Sequence, residues 1–230
     1  MHTTRSFLLV PGAGGSAWYW HRVVAALAER GHDAVAVDLP AEDDSAGWAE
    51  YVDASVAAAG DRSDLVVVGQ SMGGFTAALL PDSLPVSLLV LVNAMIPVPR
   101  ETGGDWWANT GQADARREND LREGRPADDG FDVMTMFLHD LPEWLLPEAA
   151  EHDPNQSATP FGQPWPRDAW PDVPTCVVSS QDDRLFPADF QRRVAEERLG
   201  LTPDVVPGGH LVALSRPEPL VERLLSYLGR

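Results

Sequence analysis

Lysine is absent from this sequence of 230 residues, so all 17 cationic side chains are arginines. Acidic residues number 35, and the formal net charge of −18 opposes binding to nucleic acid or to anionic membranes. The single cysteine, Cys176, excludes an intramolecular disulfide and a cysteine-based zinc site. No apolar run approaches a membrane span, and the apolar stretch near the N-terminus is too short for a signal peptide. These absences predict a cytoplasmic protein that binds neither nucleic acid nor membrane.

Apolar runs alternate with helical patterns along most of the chain. Val86–Val92 is almost entirely apolar, as a parallel strand buried on both faces should be. The alternation predicts an α/β fold, a mostly parallel sheet of about six strands with helices on both faces. The predicted strands are Ser6–Val10, Asp33–Leu39, Leu65–Val68, Val86–Val92, Pro174–Ser179 and Pro203–Val206. The predicted helices include Trp18–Arg30, Trp48–Ala59, Pro187–Leu199 and Pro217–Leu228.

The alternation stops between residues 97 and 171, where no strand pattern occurs and tryptophan, phenylalanine and methionine are frequent. We predict that residues 1–96 and 172–230 form the core and that residues 97–171 form a helical cap. The cap would cover the carboxyl edge of the sheet, where ligands bind in open α/β folds. Most of its aromatic residues should pack it onto the core. The candidates for substrate contacts are Trp106, Met134, Phe137 and His139.

A glycine-flanked serine follows the third predicted strand. Gly69-Gln-Ser-Met-Gly73 comes directly after Leu65–Val68, and Phe75–Leu80 reads as the start of a helix. A strand–turn–helix of this kind holds a serine hydroxyl clear of the sheet, where a base can take its proton. A glycine-rich turn in any α/β protein is the alternative interpretation of the motif alone. Ser71 is therefore the candidate nucleophile.

Suitable partners for Ser71 follow two later strands. Asp182 and Asp183 come after Pro174–Ser179, and His210 comes after Pro203–Val206. The carboxyl ends of parallel strands meet at one sheet edge, so the histidine could accept the serine proton and an acid could orient its imidazole. We favour Asp183 as the acid, with Asp182 capping the turn. The backbone amides of Ala13 and Met72 are the candidate donors to a developing oxyanion.

The first loop supports a rival interpretation. Gly12–Ala17 fits the Gly-x-Gly-x-x-Ala pattern of dinucleotide-binding proteins, and Asp38 ends the next strand at the expected spacing. This pattern would indicate an oxidoreductase dependent on NAD(P). It leaves Ser71, Asp183 and His210 unexplained, and the bulky residues Trp18–Trp20 crowd the helix start.

Four motifs together resemble the α/β-hydrolase superfamily, in particular its small branch of plant methylesterases and hydroxynitrile lyases. These are Pro11-Gly-Ala with Trp18-Tyr-Trp20, Gly69-Gln-Ser-Met-Gly-Gly74, Asp183-Arg-Leu-Phe-Pro187 and Gly208-Gly-His210. The resemblance implies a Ser71, Asp183 and His210 triad with Ala13 and Met72 as oxyanion donors. Two positions depart from it. Pro11 replaces a histidine usual in that branch, and Leu211 stands where hydroxynitrile lyases carry a lysine.

The sequence thus predicts a serine hydrolase that cleaves a small to medium, partly apolar ester through an acyl-enzyme, as a monomer or homodimer. No metal or cofactor is required. Thioesterase, amidase, carbon–carbon hydrolase and lyase activities remain open on the same fold, as does ligand binding with little turnover. Four arginines of the cap could neutralise an acidic substrate, with solvated surface as the other interpretation. They are Arg100, Arg116, Arg117 and Arg122.

Overall fold

The fold is a single parallel sheet flanked by helices, seen in a computed structural model that describes residues 4–127, 130, 132–152 and 155–229. All strand pairs are parallel, and the strand order is β2-β1-β3-β4-β5-β6. The predicted fold class and the count of six strands are confirmed. The strands are β1 (Ser6–Val10), β2 (Asp33–Ala36), β3 (Leu65–Gln70), β4 (Val86–Val92), β5 (Thr175–Ser180) and β6 (Asp204–Val206).

Helices cover both faces of this sheet and fill the long β4–β5 connection. The α-helices are α1 (His21–Glu29), α2 (Trp48–Ala59), α3 (Gly73–Ala77), α4 (Gly103–Thr110), α5 (Gln112–Arg122), α6 (Leu146–Glu151), α7 (Thr159–Gly162), α8 (Ala188–Leu199), α9 (Val212–Ser215) and α10 (Pro217–Ser226). Short 3₁₀ helices span Ala17–Trp20, Leu80–Asp82 and Glu143–Leu145, and Met134–Leu138 forms a π-helix. None of the helices in the described ranges has both the length and the apolar character needed to cross a membrane.

Alternate residues of each central strand point to opposite cores. Leu8 and Val67 contribute to the core under α2, α3 and α8, whereas Phe7 and Val66 contribute to the core under α1, α9 and α10. Both faces of the central strands are therefore buried, which explains why β3 and β4 consist of nearly continuous valine and leucine. Cys176 on β5 is half-buried.

The connection from β4 to β5 contains helices α4 to α7, and its described residues include no strand apart from an isolated bridge between Thr102 and Pro164. The division into a core (1–96 and 172–230) and a cap (97–171) remains a prediction. We refer to residues 97–171 as the connecting segment.

Two elements end three residues earlier than the sequence suggested. β2 ends at Ala36 because the chain then turns toward the first loop, where the Leu39 amide donates to the carbonyl of Gly15 at 2.8 Å. The helix after Ser71 ends at Ala77, and a separate 3₁₀ turn containing Pro81 follows. Proline lacks the amide hydrogen that would continue a helix.

Candidate active site

Ser71 lies on a tight turn between β3 and α3. Its φ of +51° is in the left-handed region, which non-glycine residues rarely adopt. The turn is held by hydrogen bonds from the Ser71 amide to the Val92 carbonyl (3.3 Å) and from the Met95 amide to the Ser71 carbonyl (2.9 Å). Gly73 lies so close to β1 that a side chain there would meet the carbonyl oxygens of Val10 and Pro11. The glycine therefore lets β1 and its loop approach the serine.

The side chains of Ser71, His210 and Asp183 form a continuous chain of hydrogen bonds. The Oγ of Ser71 is 3.1 Å from Nε2 of His210, and Nδ1 of His210 is 2.8 Å from Oδ2 of Asp183. The acid is 2% exposed and the imidazole 1% exposed, so water does not compete for their mutual bond. The three residues follow β3, β6 and β5, respectively, at the carboxyl edge of the sheet.

The two neighbouring aspartates have different surroundings. Oδ1 of Asp183 accepts hydrogen bonds from the amides of Leu185 (2.9 Å) and Phe186 (2.8 Å), and Oδ2 accepts a third from the Gln191 side chain at 3.2 Å. Asp182 instead connects its loop to Gly208 through two hydrogen bonds. Its Oδ2 accepts from the Gly208 amide at 3.3 Å, and its own amide donates to the Gly208 carbonyl at 2.9 Å. Asp183 thus contacts the imidazole, while Asp182 fixes the loop that carries it.

Two backbone amides close to Ser71 in the chain or in space have no hydrogen-bond acceptor. Within the described ranges, neither the Ala13 amide nor the Met72 amide donates a hydrogen bond. The first loop lies directly against the serine, since a Cβ at Gly12 would stand 2.8 Å from the Ser71 Cβ. The assignment of these two amides as donors to an oxyanion remains a prediction.

A cavity of about 420 Å³ lies against the first loop, and its lining includes Ala13, Gln70 next to Ser71, and Leu211 next to His210. Its walls are mostly apolar, and Phe137 both lines it and packs edge-on against the His210 ring with centroids 5.2 Å apart. Pro11 and Leu211, the two positions that depart from the plant pattern, also line it. Burial raises the pKa of the Tyr19 hydroxyl in this wall, so that group stays neutral. A larger cavity of about 630 Å³ lies elsewhere, beside α2.

The other predicted contact residues are not among those that line this cavity. Trp106 is fully buried, and its indole donates to the Ile96 carbonyl at 3.1 Å. Met134 is 52% exposed. His139 lines a separate polar cavity beside Asp140, and burial together with the Arg184 guanidinium lowers the pKa of its imidazole. Of the four predicted contact residues, Phe137 is the one that lines the cavity and also packs against the His210 ring.

The four arginines considered for substrate binding also lie outside this lining. Arg100 pairs with Asp168, and Arg122 pairs with Asp189. The only titratable side chains in the cavity wall are those of Tyr19 and His152, as far as the chain is described. None of the described arginines lines this cavity, so its wall has no guanidinium to pair with a substrate carboxylate.

Asn93 organises the site, although sequence reasoning did not single it out. Its side chain is fully buried and joins β4, β5 and the histidine loop. Nδ2 donates to Ser180 Oγ (2.8 Å) and to the carbonyl of His210 (3.1 Å), and Oδ1 accepts from the Ser180 amide at 2.8 Å. The sequence contains one indication of this role, because Asn93 is the first polar residue after the apolar strand Val86–Val92.

Asn93→Ala is expected to lower the free energy of unfolding by about 3 kcal/mol, because it leaves buried groups at Ser180 and His210 without partners. Alanine also tolerates the φ of +45° at this position less well than asparagine. Asn109→Ala is the matched control, since it removes one hydrogen bond from an exposed asparagine to Glu101. Denaturant unfolding measures both. Equal stability of the two variants would contradict the role given to Asn93.

Asp38 has a local role. Its Oδ1 accepts a hydrogen bond of 2.7 Å from the Ala17 amide, at the start of the 3₁₀ helix that follows the first loop. A dinucleotide-binding acid would instead turn its carboxylate toward a ribose. This contact favours a structural role for Asp38 and weakens the oxidoreductase interpretation of Gly12–Ala17.

Comparison with known proteins places this arrangement in a family. The profile of the Alpha/beta hydrolase family matches residues 7–223, and the chain belongs to that family. Esterase PIR7B from Oryza sativa subsp. japonica is 42% identical over 106 residues. That match spans 40% of this chain and 40% of the rice protein, so less than half of that relative's length is matched.

Solved structures show the same fold over the whole chain. The pyrethroid hydrolase from Sphingobium faniae JZ-2 superposes with a TM-score of 0.77 at 24% identity, covering 99% of this chain and 98% of its own. Methylesterase MES16 from Arabidopsis superposes with a TM-score of 0.71 at 17% identity, covering 98% and 99%, respectively. The resemblance to α/β-hydrolases related to plant methylesterases is confirmed, and the esterase and hydrolase relatives support a hydrolase.

Proposed function

We propose that this protein is a serine hydrolase that cleaves a neutral, partly apolar ester through an acyl-enzyme. The observation that carries the proposal is the unbroken chain of hydrogen bonds from Ser71 through His210 to Asp183, next to a cavity. A serine becomes nucleophilic when a base accepts its proton, and a buried acid keeps that base in the correct tautomer.

In the proposed reaction, Ser71 Oγ attacks the ester carbonyl carbon and its proton passes to Nε2 of His210. The amides of Ala13 and Met72 stabilise the resulting oxyanion. The tetrahedral intermediate collapses, the carbon–oxygen bond of the ester breaks, and the departing alkoxide takes the proton from His210. Water then attacks the acyl-serine with His210 as base, which releases the carboxylic acid and restores Ser71.

The substrate class follows from the cavity. A volume of about 420 Å³ with mostly apolar walls accommodates a small or medium ester with an apolar acyl or alcohol group. The names of similar proteins, an esterase and a pyrethroid hydrolase, agree with ester cleavage. Leu211 offers no charge that could stabilise a leaving anion such as cyanide, so hydrolysis is favoured over lyase chemistry.

A fluorophosphonate probe tests the proposal, because it forms a stable bond only with an activated serine. We expect labelling of the folded wild-type protein at Ser71, located by peptide mass spectrometry, and a rate at least about 100-fold lower in His210→Ala. Heat-unfolded protein controls for non-specific reaction. Folded protein that stays unlabelled and does not cleave p-nitrophenyl butyrate would refute the acyl-enzyme mechanism and favour a binding protein.

A further inference from the structure

One side chain of the connecting segment reaches the first loop beside the serine. Oε1 of Gln156 accepts a hydrogen bond of 2.9 Å from the Gly14 amide, 142 residues earlier in the chain. Gln156 also lines the cavity next to Ala13 and Gly14. The bond therefore joins the connecting segment to the loop that carries one of the two proposed oxyanion donors.

We propose that Gln156 is a positioning residue that holds the Ala13 amide in place for the developing oxyanion. The inference rests on the proposed function. Gln156 acts through the neighbouring Gly14, and its own amide group is already occupied. Its Nε2 donates to the Tyr51 hydroxyl (3.0 Å) and to the Ser157 carbonyl (2.9 Å), so it has no donor left for substrate.

The first loop needs such support because its backbone is adaptable. Gly14 and Gly15 have φ values of +85° and +67°, and glycine changes backbone conformation more easily than other residues. On one side, the Gly15 amide donates a hydrogen bond to the Gly12 carbonyl (3.1 Å), and the Gly15 carbonyl accepts one from the Leu39 amide (2.8 Å). On the Gly14 side, Gln156 supplies the hydrogen bond. Without it, the Gly14 amide would face the cavity unpaired, and the adjacent peptide that carries the Ala13 amide could rotate.

Gln156 is itself anchored to the core. The Ser157 amide donates to the Ala41 carbonyl at 2.7 Å, and the Ser157 hydroxyl donates to Asp44 at 2.9 Å. These bonds fix the backbone from which Gln156 extends. The loop is thus held between the residues that follow β2 on one side and the connecting segment on the other. The connecting segment then affects turnover as well as the shape of the cavity.

Gln156→Met keeps the length of the side chain but removes the acceptor. We expect kcat for p-nitrophenyl butyrate to fall about 10- to 100-fold, since small displacements of catalytic groups and lost oxyanion donors have effects of this size. KM should change by less than about threefold, because ground-state contacts remain. Inhibition by propyl trifluoromethyl ketone, which forms an oxyanion on Ser71, should weaken by the same factor as kcat/KM.

Two controls separate positioning of the loop from general support. Gln163→Met removes a bond of the same kind, from the Trp48 amide to a glutamine Oε1 of the connecting segment (3.1 Å), away from Ser71. Tyr51→Phe removes one of the two acceptors of the Gln156 Nε2 group and leaves the bond from Gly14 intact. We expect both controls to keep the wild-type kcat. Gln156→Asn, whose amide is too short to reach Gly14, provides a second test if the methionine variant does not fold.

The outcomes are distinguishable. A selective loss of kcat and of ketone affinity in Gln156→Met or Gln156→Asn supports the inference. Wild-type kcat in both variants, or equal losses in Gln163→Met, would overturn it and leave the serine hydrolase proposal intact. A wild-type protein that neither reacts with the fluorophosphonate nor cleaves the ester would overturn both.

Discussion

Replacing Ser71 with alanine is expected to lower kcat for p-nitrophenyl butyrate by about 10⁶-fold, the size of effect seen when a serine nucleophile is removed. The variant keeps the Ala13 and Met72 amides and the cavity, but no oxygen remains 3.1 Å from His210 Nε2 to attack the carbonyl. Residual hydrolysis should show no burst of p-nitrophenol. Stopped-flow measurement of the wild-type burst and steady-state rates of the variant test this directly.

Ser63→Ala is the control for that experiment. Ser63 is exposed and precedes β3, at the opposite end of the strand from Ser71. Its variant should keep the full burst and the full steady-state rate. Wild-type turnover by Ser71→Ala would exclude Ser71 as the nucleophile and would direct attention to another group in the cavity.

Asp183→Asn should reduce kcat by about 10⁴-fold, because the substitution forces the wrong imidazole tautomer. The amides of Leu185 and Phe186 both donate to Oδ1, so the oxygen of an asparagine side chain must take that position. Its NH₂ group would then face His210 Nδ1. The imidazole must accept that hydrogen bond, which leaves its proton on Nε2. A protonated Nε2 cannot accept the proton of Ser71.

Asp182→Asn is the matched control, since it changes the adjacent acid in the same way. Asp182 uses a carboxylate oxygen to accept from the Gly208 amide, and the oxygen of asparagine can do the same. We expect near wild-type kcat. A larger loss for Asp182→Asn than for Asp183→Asn, measured with the same ester and confirmed folding, would reverse the assignment of the two acids.

The sequence predicted the parts of this site that depend on strand ends. The predicted strands place Ser71, Asp183 and His210 after β3, β5 and β6, and the structure brings their side chains together. Strand existence follows from apolar runs, and position at the sheet edge follows from parallel topology. The first is a local property of the sequence and the second is a general property of parallel sheets. A single sequence was therefore sufficient to predict the strands and the sheet edge.

Contacts between distant side chains could not be predicted in this way. Asn93, Gln156 and Gln191 each bind a partner chosen by three-dimensional packing, and no spacing rule relates Gln156 to Gly14. The aromatic residues of the connecting segment illustrate the same difficulty. Their composition shows that they are apolar. It does not distinguish a side chain that packs between core elements from one that lines a cavity. Trp106 packs inside the core, whereas Phe137 contacts His210.

The close contacts of Gly12 and Gly73 constrain how this protein can evolve. A side chain at Gly73 would meet main-chain oxygens of Val10 and Pro11, and one at Gly12 would meet Ser71 itself. Side chains can repack to relieve a clash, whereas the main chain of a central strand cannot move without disturbing the sheet. Residues such as Val133 and Ala150 line the cavity from outside the sheet and face no such barrier. Descendants of this gene would therefore keep the geometry around Ser71 together with the sheet, while the residues that line the cavity diverge.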